Sequence, residues 1–274
     1  MSIYPTPAPE PIGTDSNPSS NARWVRRVFR WQDLDSTNEA AFRALDQGVA
    51  RDGDAFVALG QTQGRGRRGS QWCSEPGQGL YVSFSMIPER PLNGPMVTIS
   101  AGLATQNALT SLGLSKSHLK WPNDLLVGPS KLAGILVESR AWSAESPIYV
   151  LGVGINVGQI GFPENLTAER PVISLAQCGV AATLQEVEQA LFACLGTRFE
   201  QARMAPRALG RDYLEALGFG TSPVNVQVAS ETVTGPIASL DFDRGLEIST
   251  TEGRRRWVPL EHIRSVTASE PRQG

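Results

Sequence analysis

Read for its alternation of apolar and polar positions, the chain divides into short extended runs separated by a few long helical ones. Residues 24–31 partly alternate and predict a strand. Asp35-Ser36-Thr37-Asn38 then supplies cap residues ahead of Ala41, Phe42 and Leu45, a helical spacing that Gly48 is placed to stop. Residues 55–59 and 80–86 read as strands, the first running into a glycine-rich loop, and residues 96–112 have the apolar density of a packed helix. Four short apolar runs follow at 119–121, 125–127, 133–138 and 148–153, with Gly128-Pro129-Ser130 as a turn among them. Residues 184–203 predict an amphipathic helix that gathers Leu184, Val187, Ala190, Leu191, Leu195 and Phe199 on one face.

The pattern changes at Phe219-Gly220-Thr221-Ser222-Pro223. Beyond it Val224-Asn225-Val226-Gln227-Val228 alternates strictly, and similar runs recur at 232–237, 245–249 and 256–258, which predicts a small SH3-like β-barrel over residues 221–268. The larger unit, residues 23–220, mixes helices with largely antiparallel strands in uneven order, so the fold class is α+β rather than doubly wound. Residues 1–22 hold five prolines among Ser, Asn and Thr and no Lys or Arg, and predict a disordered tail too short and polar for a helix-turn-helix.

Composition narrows the function classes. The net charge of -2 argues against a broad basic surface for nucleic acid, so any basic site has to be local. No apolar stretch approaches the ~18 residues that span a bilayer, and no basic-then-apolar signal opens the sequence. Cys73, Cys178 and Cys194 have no CxxC spacing and fit reduced thiols, so a cytoplasmic location is expected.

Three stations carry candidate chemistry. In Gly64-Arg65-Gly66-Arg67-Arg68-Gly69 the glycines permit tight turns and close approach, and the guanidinium forks suit phosphate or carboxylate. The segment lacks the Lys-Ser/Thr ending of a Walker A loop and is not a GxGxxG at a helix start; taken alone it suits anion binding, a solvated loop or an RGG-like RNA contact. Trp72 follows as either a core anchor or a ligand contact within a long inter-strand loop. Lys120-Trp121-Pro122-Asn123-Asp124 sets a cation, an aromatic, a turn, an amide and a carboxylate side by side, and Lys131 opens the next apolar run. Gly152-Val153-Gly154-Ile155-Asn156 is a strand whose glycines admit a ligand or form a bulge. The two histidines, His118 and His262, have no metal-site or triad partners in sequence, which leaves electrostatic positioning as the expected chemistry.

In this order the three stations resemble the biotin protein ligases, with the likeness running from about residue 24 to 266 and including Ser36-Thr37-Asn38 and Lys131-Leu132-Ala133-Gly134-Ile135-Leu136-Val137-Glu138. The resemblance implies a catalytic domain like that of class II aminoacyl-tRNA synthetases followed by an SH3-like barrel. It also implies biotin and ATP with Mg²⁺ as substrates, and a biotin carboxyl carrier protein as acceptor. By that likeness Ser36, Thr37, Asn38 and Gln61 line a biotin pocket, and Arg65, Gly66, Arg67, Arg68 and Gly69 close over biotin and its adenylate with Trp72. Lys131 holds the carboxyl and α-phosphate region, Gly134 lies against biotin, Asn156 contacts the adenylate, and Asn123 and Asp124 fall near the metal and phosphates. Arg67 and Lys131 are the expected catalytic pair. Ser70 departs from the basic residue many members carry, Glu75 and Gly79 vary the following loop, and no repressor activity is expected of the proline-rich tail. A lipoate or octanoate ligase is the nearest alternative, without the Arg-Arg-x-Ser-Gly-Gly-Gly run of those enzymes, and an RNA-binding module a remote one.

Overall fold

The computed structural model describes residues 13–16, 24–87, 92–143, 146–164, 171–250 and 253–269. Strands β1 (Gly13–Ser16), β2 (Arg27–Leu34), β3 (Asp54–Gln61), β4 (Gly79–Met86), β5 (His118–Lys120), β6 (Asp124–Val127), β7 (Ser130–Ser143) and β8 (Ser146–Asn156) form one sheet in the order β1-β2-β3-β4-β8-β7-β6-β5. Every neighbouring pair is antiparallel except β2 and β3, which run parallel because helix α1 (Thr37–Asp46) forms the crossover between them. The α+β reading therefore holds, with one parallel pair inside it. Two elements depart from the expected pattern. Gly13–Ser16, expected within a disordered tail, pairs with β2 as an edge strand, and the rest of residues 1–22 lie outside the described residues. A further helix, Pro206–Leu217, was not predicted; it begins with Pro206 in its first turn immediately after the preceding helix ends at Met204.

The alternation of side chains across the strands sorts the core onto two faces. On one face Val82, Phe84, Ile135, Leu151, Val153 and Ile155 meet α2 (Gly94–Ser111) and α3 (Leu184–Met204), with Trp24 wedged 4.7 Å from Phe199 and 5.4 Å from Phe84. On the other, α1 lays Ala41, Phe42 and Leu45 over Phe56, Ala58, Ile148 and Val150. The spacing that predicted α1 is the face it buries. Helix starts are satisfied locally: Asn93 accepts from the Met96 amide at 2.8 Å, and Thr183 and Glu186 form a reciprocal capping box at α3.

Strands β9 (Val224–Val228), β10 (Glu231–Gly235) and β14 (Ile263–Ala268) form one small sheet, and β11 (Ile237–Asp241), β12 (Gly245–Ser249) and β13 (Arg255–Val258) a second. Val224, Val226, Leu246, Ile248, Val258 and Val266 are buried between them, an arrangement consistent with the SH3-like barrel expected. Arg255 and Arg256 pair with Glu247 and Glu231 and so brace this barrel. The barrel is seated on the larger unit. The Trp121 indole N–H donates to the Ile263 carbonyl at 3.3 Å, and the Asn93 amide donates to the Phe242 carbonyl at 3.1 Å.

The entry into α1 is fixed electrostatically. Ser36 occupies the N-cap but its hydroxyl makes no cap bond; instead the Asp35 carboxylate accepts from the Ser36 amide at 2.7 Å and from both terminal nitrogens of Arg43 at 2.7 and 2.8 Å. The Arg43 hydrogen bond holds the Asp35 carboxyl below its ordinary value against the opposing effect of partial burial. A depressed carboxyl pKa contributes stability that is present above the unfolded value and is lost as pH falls through the folded one. The thermal midpoint of Asp35→Asn should therefore lie below that of the parent at neutral pH, with the gap closing as pH drops below 3.8, the value for an unperturbed Asp. Melts in which the gap stays constant through that range would show that the carboxylate is not linked to folding.

Candidate active site

The face of the sheet covered by α1 changes character along β8. Ile148 and Val150 pack beneath the helix, and the next two residues on that face are Gly152 and Gly154. No side chains rise from them, so a floor opens where the helix begins. The glycines are required there: a Cβ at Gly152 would lie 2.3 Å from Asn38 Oδ1, one at Gly154 2.5 Å from the Trp72 ring, and one at Gly134 on neighbouring β7 2.8 Å from the same ring. The result is a cavity of about 490 Å³ with Ser36, Thr37, Asn38 and Gln61 at one end and Arg67, Asn123, Asp124 and Lys131 at the other.

The polar end is a connected set of hydrogen bonds. Gln61 Oε1 accepts from the Thr37 amide at 2.8 Å and its hydroxyl at 3.1 Å, while Gln61 Nε2 donates to Ser74 Oγ at 2.9 Å. The Ser83 hydroxyl, fully buried, lies 2.7 Å from Thr37 Oγ1 and 2.5 Å from Asn38 Oδ1. Such a network holds its members in one geometry because an unpaired buried polar group costs ~1–3 kcal/mol.

The glycine-rich loop folds back on itself. Trp72 N–H donates to Gly64 O at 2.9 Å, Gly66 N–H to Ser70 O at 2.7 Å, and Arg65 bridges to Gln71. A 3₁₀ turn at Arg67–Gly69 forms the tip, in which Arg68 takes a left-handed backbone with φ 56°, a conformation that costs a non-glycine residue roughly 1–2 kcal/mol. Trp72 is thereby laid across Gly134 and Gly154, its indole N–H buried without an acceptor among the described residues.

At the cationic end Lys131 Nζ is 2.7 Å from Asp124 Oδ1 and 5.2 Å from the Trp72 ring centroid. Arg67 is an exposed residue overall, but its guanidinium reaches inward to Asn123 Oδ1 at 3.3 Å. Burial there lowers the Arg67 pKa, helped by the charge of Arg68 and opposed by Asp124, while leaving it a cation. Two positive groups thus meet one carboxylate, which suits an added anion. Asn123 and Asp124, expected near a metal, do not make a cage. Asp124 is ion-paired to Lys131, the Asn123 amide donates to Ile135 O at 2.8 Å, and among the described residues no group of three His, Cys, Asp or Glu side chains converges. That donor set does not fit a protein-held divalent ion, which ordinarily needs several oxygen ligands.

Ser36, Thr37, Asn38, Gln61, Arg65, Gly66, Arg67, Arg68, Trp72, Lys131 and Gly134 all line this cavity, and two expected residues do not. Gly69 stands at the loop tip in open space with φ +79°. Asn156 is buried, its amide donating to Ile173 O at 3.0 Å, so it holds the segment that brings Val172 to the rim instead of facing the cavity. Sequence reasoning missed Ser83, Tyr81 and the barrel residues Arg264, Ser265 and Thr267, which also line or support the cavity. Ser83 had a faint signal, a polar residue inside an apolar strand. The barrel residues had none, because only tertiary packing brings β14 there.

The model of the biotin/lipoate A/B protein ligase family matches residues 29–156. The chain is 32% identical over 233 residues to the bifunctional ligase/repressor BirA of Escherichia coli, covering 82% of this chain and 70% of that one. It is 33% identical over 195 residues to the biotin--[acetyl-CoA-carboxylase] ligase of Mycobacterium tuberculosis, covering 67% of this chain and 70% of that one. A solved biotin protein ligase from Aquifex aeolicus in complex with biotin and ATP superposes with a TM-score of 0.72 at 26% identity, covering 88% of this chain and 99% of that one.

The close approach at Gly154 yields a direct expectation. Gly154→Ala should push Trp72 off β8, red-shift tryptophan emission and lower stability by ~1–3 kcal/mol, the usual penalty for overpacking. Gly161→Ala, where a Cβ meets nothing within 4 Å, should leave both unchanged. Equal behaviour of the two variants would remove Trp72 from the cavity wall.

Proposed function

This chain belongs to the biotin protein ligases of the biotin/lipoate A/B protein ligase family, and on that premise we propose how its residues activate biotin with ATP and pass it to a lysine of a biotin carboxyl carrier protein. The observation that carries the assignment is the pairing of two chemistries in one cavity: a hydrogen-bonding end built on Thr37 and Gln61 and a cationic end built on Lys131 and Arg67, joined by an apolar floor. Biotin has the matching order, a ureido ring, a thioether ring with an alkyl chain, and a carboxylate. Thr37 and Gln61 supply donors and acceptors for the ureido group, Gly134, Gly154 and Trp72 form the flat floor for the ring and chain, and Lys131 with Arg67 receives the carboxylate.

In the first half-reaction a biotin carboxylate oxygen attacks the α-phosphorus of ATP and the bond to the β-phosphate oxygen breaks, giving biotinyl-adenylate and pyrophosphate. Lys131 and Arg67 meet the negative charge that gathers on the α-phosphate. Asp124 holds the Lys131 ammonium at 2.7 Å and the Trp72 face flanks it, so the charge is positioned before the substrates arrive. In the second half-reaction the neutral amine of the carrier lysine attacks the acyl carbon, AMP departs with the bonding pair, and a proton leaves the nitrogen to give the amide. No nucleophile of the ligase itself takes part. The loop carrying Arg67 and Trp72 keeps water from the adenylate between the two steps.

Incubation with biotin, ATP, Mg²⁺ and a biotin carrier domain should raise the carrier mass by one biotinyl group on a single lysine, and addition of a lipoyl group in its place when both acids are offered would overturn the choice of substrate. Lys131→Ala should slow biotin-dependent pyrophosphate exchange by ~10²-fold, the typical effect of losing one electrostatic donor. Exchange at the parental rate would take Lys131 out of the first step. Arg67→Ala should release biotinyl-adenylate faster and label lysines of bystander proteins, and unchanged dissociation of the adenylate would remove Arg67 from the lid.

A further inference from the structure

The arginines of the glycine-rich loop are not equivalent. Arg67 reaches toward Asn123 at the cavity, whereas the Arg65 guanidinium is held by two carboxylates, Glu39 of α1 and Glu138 of β7. Glu138 Oε1 accepts from Arg65 Nη2 at 2.8 Å, and its other oxygen accepts from Asn38 Nδ2, also at 2.8 Å. One carboxylate therefore spans the loop and the pocket floor. Followed through its partners, it completes a path from Arg65 through Glu138, Asn38 and Ser83 to the Thr37 hydroxyl, and from the Thr37 amide N–H through Gln61 to Ser74, every link between 2.5 and 2.9 Å. Arg65 and Ser74 lie at the two ends of the loop that carries Arg67 and Trp72.

We propose that Glu138 is a positioning residue for biotin activation and transfer, tethering the near end of the lid through Arg65 to the same Asn38-Thr37-Gln61 network that holds the ureido end of the substrate. The inference rests on the reading of that cavity given above. Its weight as a fold-stabilising contact is small: the Arg65 and Glu138 side chains retain 41% and 24% of their exposure, a setting in which solvent screens an ion pair. Its leverage is geometric. Asn38 cannot turn toward β8 because Gly152 already lies against its Oδ1, and Ser83 holds that same oxygen, so its Nδ2 is aimed at Glu138. Substrate bonded to Thr37 and Gln61 orders this row of groups, and Glu138 transmits that order to Arg65. Arg65 is accordingly an anchor of the lid, while Arg67 is left to meet the anion.

The test is a double-mutant cycle on the full chain, with biotinyl-adenylate dissociation as its readout. Glu138→Gln keeps an acceptor for Asn38 and removes one of the two charges that hold Arg65, leaving Glu39; Arg65→Gln removes the partner of both carboxylates. Each single variant should release the adenylate roughly tenfold faster than the parent, the equivalent of ~1.4 kcal/mol. The double variant should be no faster than Arg65→Gln, since the Glu138 tether acts only through Arg65. Unliganded thermal midpoints should stay together, which separates positioning from a structural defect. Parental release rates in either single variant, or effects that multiply in the double, would overturn the proposal, and Arg65→Gln tests it even if Glu138→Gln folds poorly. A parent that forms no biotinyl-adenylate would overturn the reading of the cavity and this inference with it. A parent that retains the adenylate no longer than Glu138→Gln does would overturn this inference alone.

Discussion

Close contact between α1, the loop and two glycines of β8 is the constraint from which the rest of the site follows. A strand in a twisted sheet normally offers a side chain to each face at every second residue. Here Ile148 and Val150 meet that expectation under α1, and Gly152 and Gly154 suspend it. Asn38 descends onto the first and Trp72 onto the second, and each approach is closer than any Cβ would permit. The same strand thus secures the helix with its first half and forms a ligand floor with its second. The N-terminus of α1 can carry Ser36, Thr37 and Asn38 to that floor because its apolar face is already seated a turn away.

The charge distribution follows from this placement. Lys131 and Asp124 sit on adjacent strands β7 and β6, where the antiparallel pairing lets a cation and an anion close to 2.7 Å, and the aromatic face of Trp72 completes the wall beside the ammonium. Arg67 arrives from the opposite side on the loop tip.

Much of this was legible because it is local. The helical spacing of Ala41, Phe42 and Leu45, the alternation from Val224 to Val228, and the glycines of the loop each state their role within a few residues. What escaped was non-local or compensated. The Pro206–Leu217 helix is a different case: its apolar positions Leu209, Tyr213 and Leu217 recur every four residues, a helical signal obscured only by Ala205, the single residue that separates it from its neighbour. Arg264 reaches the cavity only through the docking of the barrel, which no spacing in the chain announces. Asn156 illustrates the opposite error. It follows a glycine-rich strand, as a ligand contact should, but its amide is taken by Ile173 in a segment whose path sequence could not supply.

Gly13–Ser16 has a consequence for the molecule as a whole. By pairing with β2 it removes an eight-residue strand from the rim of the main sheet, and among the described residues the rims are a strand of four residues on one side and of three on the other. Open hydrogen-bonding edges recruit other chains in proportion to their length and flatness. Among the described residues the sheet therefore ends in its own short pieces, and little of their backbone is left open for another strand to pair with.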